Sequence, residues 1–129
     1  ASWMDAHRRD VFAALYRVTA GAPFTPERLE TIEEPTVGDP AETLERWRTA
    51  IGIPPSVFAG DGAVRYAGAI ASAHPAARVL PPPLLAGAIG RLAVALASRG
   101  TTLDPTGVHP VYVRRPDAEL AREEKRGAS

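Results

Sequence analysis

Three groups of residues in this chain have types that could do chemistry, and each group also has a purely structural reading. The histidines His7, His74 and His109 stand apart. No H-x-x-x-H spacing aims two imidazoles from one helix face, so they read as turn or surface residues. The carboxylates are better spaced: Asp5 falls near the end of a first strand, Glu42 or Glu45 on a first helix, and Asp61 just past a fourth strand. If they converged, such groups would clamp two hard divalent cations. If they stay apart, Asp5 belongs to a hairpin turn and Asp61 caps the helix after it. Gly60-Asp61-Gly62 is a glycine turn whose backbone amides could approach a phosphate or an adenosine, as a cofactor-facing edge. Glycines at such a turn also serve backbone geometry alone. Between Glu27 and Glu45, seven carboxylates face one arginine, which suits either a solvated edge or a basic partner. Cysteine is absent and no serine sits in G-x-S-x-G, so thiol and serine-elbow nucleophiles drop out, with disulfides and thiolate zinc sites.

The elements that must position these residues follow from periodicity and punctuation. Residues 1–4 are short and apolar, 5–10 a polar turn, and 11–18 a β-branched and aromatic strand. Gly21, Pro23 and Pro26 mark a connection, and 29–33 reads as an exposed edge strand, completing an antiparallel meander. Asp39-Pro40-Ala41-Glu42 starts a helix: Asp39 caps, Pro40 suits the first turn, and Glu42 holds the capping-box position. Leu44, Trp47 and Ile51 form its apolar stripe, and Gly52 ends it. A short strand at 56–59, a helix over 63–73 carrying Tyr66 and Ile70, and a strand at 77–80 follow. Pro81-Pro82-Pro83 then leads into a helix over 84–99 with Leu85, Ile89, Leu92 and Leu96 on one face. Residues 107–116 return to extended character, and 117–126 form a charged helix or frayed end.

The expected fold class is therefore α/β with a mixed sheet in the order βββαβαβα. Three antiparallel strands precede the parallel ones, helices cover the sheet faces, and an extended tail spans 107–129. That order resembles the ribonuclease-H-like fold, which, doubled, builds the two lobes of the actin–Hsp70–sugar-kinase superfamily. In ribonuclease-H-like enzymes the first strand, first helix and end of the fourth strand carry the metal-binding carboxylates. Asp5, Glu42 and Asp61 thus supply the alternative of a metal-dependent nuclease.

Composition sets the outer bounds. The 129 residues include 34 bulky apolar side chains, enough for one core and too few for two, so 1–129 reads as a single domain. Fifteen basic residues balance fifteen acidic ones, so no global charge favours a nucleic acid or an anionic membrane. No apolar run approaches a membrane span and no signal peptide is visible, which leaves a soluble, cytoplasmic domain as the expectation. The opening Ala1-Ser2-Trp3-Met4 is strand-like from its first residue, as at a cut edge, so a piece of a longer protein is expected.

Two segments carry a family resemblance. Met4-Asp5-Ala6-His7-Arg8-Arg9-Asp10-Val11-Phe12-Ala13-Ala14-Leu15-Tyr16 resembles the I-D-A-R…E-V-(Y/F)-(W/A)-A-x-Y hairpin that opens the second lobe of the TsaB family. His109-Pro110-Val111-Tyr112-Val113-Arg114-Arg115-Pro116 resembles its C-terminal P-(V/L)-Y-L-R signature. Phe58-Ala59-Gly60-Asp61-Gly62-Ala63 sits where that family has a strand ending in a glycine turn. His7 stands where arginine is common, Val113 stands for leucine, and the family's first-lobe motifs I-L-A-I-D-T-S and G-P-G-S-F-T-G do not occur here. The resemblance implies a scaffold without catalytic or metal-binding residues, partnering TsaD, with TsaE, in tRNA threonylcarbamoylation. It implies only indirect contact with tRNA, and ATP or ADP only at the level of the complex. Asp5, Tyr112 and Arg114 become signature residues joining hairpin and tail to a first lobe, with Tyr112 packed in the core or against that lobe. A lobe lacking its neighbour would expose apolar surface, so self-association into a homodimer is a further expectation.

Overall fold

Alternation along β2 (Val11–Val18) decides which face of the sheet becomes core. Val11, Ala13 and Leu15 are buried on one side, while Phe12 and Tyr16 on the other are half-covered. The computed structural model describes residues 1–52, 54–114 and 126. The charged segment expected at 117–126 lies outside the described residues apart from Arg126, as do Arg115 and Pro116 of the signature segment.

Strand β1 (Ser2–Asp5) pairs antiparallel with β2 from Ser2 opposite Ala14 to Asp5 opposite Val11, which sets Trp3 beside Ala13 on the core face. The turn between them is closed by the Ala6 amide donating to the Asp10 carbonyl (3.1 Å) and the Asp10 amide to the His7 carbonyl (2.8 Å). Strand β3 (Leu29–Gly38) pairs antiparallel along all of β2, five residues beyond the predicted end at Glu33. The physical reason is a bulge. Ala13 faces Thr36 and Leu15 faces Glu33, so β3 carries an extra residue opposite Ala14, where Glu34 and Pro35 are accommodated. An edge strand tolerates proline there because the missing N–H breaks no central ladder.

Helix α1 (Pro40–Arg46) starts as its sequence predicts. The Asp39 carboxylate accepts from the Ala41 amide (2.8 Å) and the Glu42 amide (3.1 Å). The helix widens to a π-helical turn over Trp47–Ile51 and stops at Gly52, whose φ is +69°. Strand β4 (Val57–Ala59) runs parallel to β1, and β5 (Arg78–Leu80) parallel to β4. The sheet order is β3-β2-β1-β4-β5. This is an α/β fold on a five-stranded mixed sheet. The single helix predicted over 63–73 is two, α2 (Asp61–Arg65) and α3 (Ala67–Ala73), separated at Tyr66, whose φ of −105° and ψ of 24° leave helical geometry.

The core is an aromatic cluster. Trp3 meets Phe58 edge-on at 5.4 Å and Trp47 at 6.0 Å between ring centroids, and Leu44, Ala63 and Ile70 close around them. Because α1, α2 and α3 all feed this cluster, they cover one face of the sheet. Helix α4 (Leu85–Ala97) forms close to its predicted limits, yet none of its residues is buried. No helix among the described residues is long and apolar enough to cross a membrane.

Candidate functional site

Asp5, His7 and Asp61, three of the residues singled out by sequence, gather where β1 ends. Asp5 closes β1, and its carboxylate accepts from Arg65 Nη1 at 2.9 Å and from the His7 amide at 3.1 Å. Its own amide donates to Asp61 Oδ1 at 3.0 Å. Asp61, first residue of α2, also receives the Gly62 amide at 2.9 Å. Two of the three carboxylates weighed for a metal pair are thus neighbours, bridged through backbone, and a guanidinium already sits on Asp5. Glu42 is not brought to them, and Glu45 is engaged by Arg48 at 2.7 Å. Among the described residues, no group of three His, Cys, Asp or Glu side chains is arranged to hold a metal ion.

The glycine turn is explained by packing. Gly60 and Gly62 lie against the backbone of β1, where a Cβ on either would collide with Trp3 or Met4. The Gly60 amide donates to the Leu80 carbonyl at 3.2 Å and the Gly62 amide to Asp61, so both amides are already used within the fold.

The acidic stretch is largely neutralised from within. Glu30 pairs with Arg17 (2.7 Å), Glu33 with Arg46 (2.6 Å) and Glu27 with Arg99 (2.7 Å), while Asp39 caps α1. The Arg46 guanidinium holds the Glu33 carboxyl below the usual carboxylate range, against the opposing effect of burial. This arrangement matches a self-paired edge more closely than a free anionic surface.

His74 departs from the surface reading. It is 5% exposed and lies 5.8 Å from the Phe58 ring, and burial, helped by the Arg48 charge, lowers its pKa. The sign follows from proton binding: the unfolded chain takes up a proton on this histidine at a higher pH than the folded one. Stability from keeping it neutral is therefore full above about 6.5 and declines as pH falls below that value. Thermal melts should give a lower Tm at mildly acidic than at neutral pH, and a His74→Gln variant should flatten that part of the profile.

The tail holds the feature with the longest reach in sequence. Arg114 donates from Nη1 to the Ala6 carbonyl (2.8 Å) and from Nη2 to the Asp10 carboxylate (2.6 Å), and its guanidinium lies 5.6 Å from the Phe12 ring centroid. It clips the tail onto the β1–β2 hairpin turn. Tyr112 behaves otherwise: it is 81% exposed, so of the two places expected for it the core of this chain is ruled out, and Val111 is equally open. The reason is geometric, since the Arg114 clip holds the tail as the outer wall of a groove of about 500 Å³. Met4, Phe12, Tyr16 and Pro35 line the sheet side, and Val111 and Tyr112 the tail side. Arg114→Ala should cost about 1 kcal/mol, because charge-assisted bonds at a half-exposed site are partly screened. Limited proteolysis is the sharper readout, and cleavage within 108–114 should speed up markedly.

Sequence reasoning missed Asp10 and Arg65, the partners of Arg114 and Asp5. No local pattern announces a pair 104 residues apart or one 60 apart. Comparison of the chain with protein-family models, with curated proteins and with solved structures gave no match.

Proposed function

We propose that this chain is the second, ribonuclease-H-like lobe of a TsaB-like scaffold, a non-catalytic subunit that partners TsaD in tRNA threonylcarbamoylation. The observation that carries the reading is the Arg114 clip. The two segments that resemble the family, at opposite ends of the sequence, meet through Arg114, Asp10 and Ala6. A chance likeness at two separate places would have no reason to converge in space. The β3-β2-β1-β4-β5 order, three antiparallel strands followed by two parallel ones, supports the ribonuclease-H-like assignment.

On this reading the chain's residues position rather than react. Arg65 fixes Asp5 at the end of β1, and Arg114 holds the tail against the hairpin, so that Tyr112 and Val111 are presented outward to a neighbouring lobe or subunit. No cofactor is assigned to this lobe, and TsaE enters only through the complex. The test is reconstitution. Purified chain is added to TsaC, TsaD and TsaE with tRNA, ATP, threonine and bicarbonate, and threonylcarbamoyl-adenosine is quantified by mass spectrometry, with binding to TsaD followed by calorimetry. Stimulation that is lost with Tyr112→Ala supports the proposal. Absence of both binding and stimulation overturns it.

A further inference from the structure

Among the described residues, His74 is the one ionisable side chain that the fold buries. Its Nε2 is enclosed with no hydrogen-bond partner, although buried polar atoms are normally satisfied. Nδ1 is not enclosed in this way and is unbonded as well. With no acceptor beside Nε2, the ring proton of the neutral imidazole belongs on Nδ1, where it can be donated.

His74 borders a cavity of about 470 Å³. The cavity forms where the α3–β5 connection passes the segment that leads into β4. Strands β4 and β5 both begin there, so it lies at the end of the sheet opposite Asp5 and Asp61. Pro54, Pro55 and Pro75 give it rigid apolar walls, and Ser56 and Arg48 complete its polar lining. Arg48 engages Glu45 through Nε (2.9 Å) and Nη2 (2.7 Å), which leaves Nη1 uncommitted. No carboxylate lines the cavity among the described residues. Apolar walls with a few convergent polar groups are the usual build of a small-molecule site.

We propose that this cavity binds a small carboxylic acid with a compact apolar body, its carboxylate held by Arg48 and His74 and its body between the prolines. A guanidinium edge and an imidazole N–H are both donors to such a group. A cationic ligand would face the guanidinium, and a neutral one would forgo its charge-assisted bond. The site stands apart from the functional reading above and does not need it. Binding also changes the proton count. Burial and the Arg48 charge hold the free imidazole below its usual pKa, and a carboxylate beside it raises that pKa. Between the two values binding takes up a proton, so affinity rises as pH falls. Of the other elements packed around the ring, α3 and β4 carry no ionisable side chain. Arg78 opens β5, and Glu45 on α1 is held by Arg48.

Nuclear magnetic resonance titration of the full chain with benzoate tests it, with benzamide as the uncharged analogue of the same shape. The expected result is a saturable shift of the Ser56, His74, Ala76 and Ala77 amides. Benzoate should bind at least about tenfold more tightly than benzamide, as one charge-assisted hydrogen bond provides. Its affinity should rise from about pH 8 to about pH 6, on either side of the usual histidine pKa. Arg48→Gln, at a side chain more than half exposed, should keep the fold and remove the preference for benzoate. Absence of a saturable shift at those amides with benzoate on the order of 10 mM overturns the proposal. Equal affinity for benzoate and benzamide, or an Arg48→Gln variant that still prefers benzoate, overturns it too. An affinity indifferent to pH overturns the role given to His74.

Discussion

Trp47→Ala is expected to remove about 3–5 kcal/mol of folding stability. Trp47 is fully buried and opens the π-helical turn that continues α1, and it reaches across to the sheet. Its ring lies 6.0 Å from Trp3 on β1 and 6.1 Å from Phe58 on β4, so one side chain joins the first helix to two central strands. Truncation would lose the transfer energy of the indole, leave a cavity the surrounding backbone cannot close, and forfeit two aromatic contacts worth about 0.5–1.5 kcal/mol each. Domains of this size have about 5–15 kcal/mol in total, so the variant should sit near its unfolding midpoint at room temperature or lose cooperativity altogether. Urea unfolding followed by far- and near-ultraviolet circular dichroism measures this. Trp47→Phe should recover a large part of the loss. A Trp47→Ala cost below about 1 kcal/mol would mean that the aromatic cluster is not the core.

The second large effect belongs to Gly60, and here the cause is backbone rather than burial. Its φ is +129°, a conformation that side-chain-bearing residues rarely adopt, and a Cβ would lie 1.9 Å from the Trp3 carbonyl oxygen. The obstacle is a β-strand backbone paired in register with β2, so it cannot step aside without breaking the Ser2–Ala59 pairing that joins the antiparallel and parallel halves of the sheet. Gly60→Ala should therefore cost about 3 kcal/mol or more, from strain and overlap together. Gly62→Ala should follow it, since a Cβ there would lie 2.7 Å from the Met4 carbonyl carbon. Gly68 in α3 is the control. Nothing lies within 4 Å of its would-be Cβ, and alanine in a helix interior is favoured by up to about 1 kcal/mol. If Gly60→Ala and Gly68→Ala proved equally stable, the close approach of the β4–α2 turn to β1 would be wrong.

The pH profile and the Arg114 clip are smaller effects that report on different parts of the molecule. His74 senses the core, where a buried imidazole beside Phe58 resists protonation. Arg114 senses the tail and the groove behind it. A variant of one should leave the readout of the other unchanged, because they sit on opposite faces of the sheet.

Local chemistry decided much of this fold before any tertiary contact formed. Asp39 and Pro40 start α1 where they stand because a capping carboxylate and a preset φ act within four residues. Val11, Ala13 and Leu15 face the core because strand side chains alternate with a period of two. Gly60 marks the β4–α2 turn because only glycine tolerates its φ. What sequence alone left open depended on distance through space. The extension of β3 past Pro35 needed a bulge against β2, and the burial of His74 needed the aromatic cluster of β1, α1 and β4 beside it. The union of Arg114 with Asp10, and the exposure of Tyr112 that follows, came from a tail returning to the first hairpin. The outward-facing α4 is the sharpest case. Its composition favours burial, yet in the folded chain none of its residues is buried.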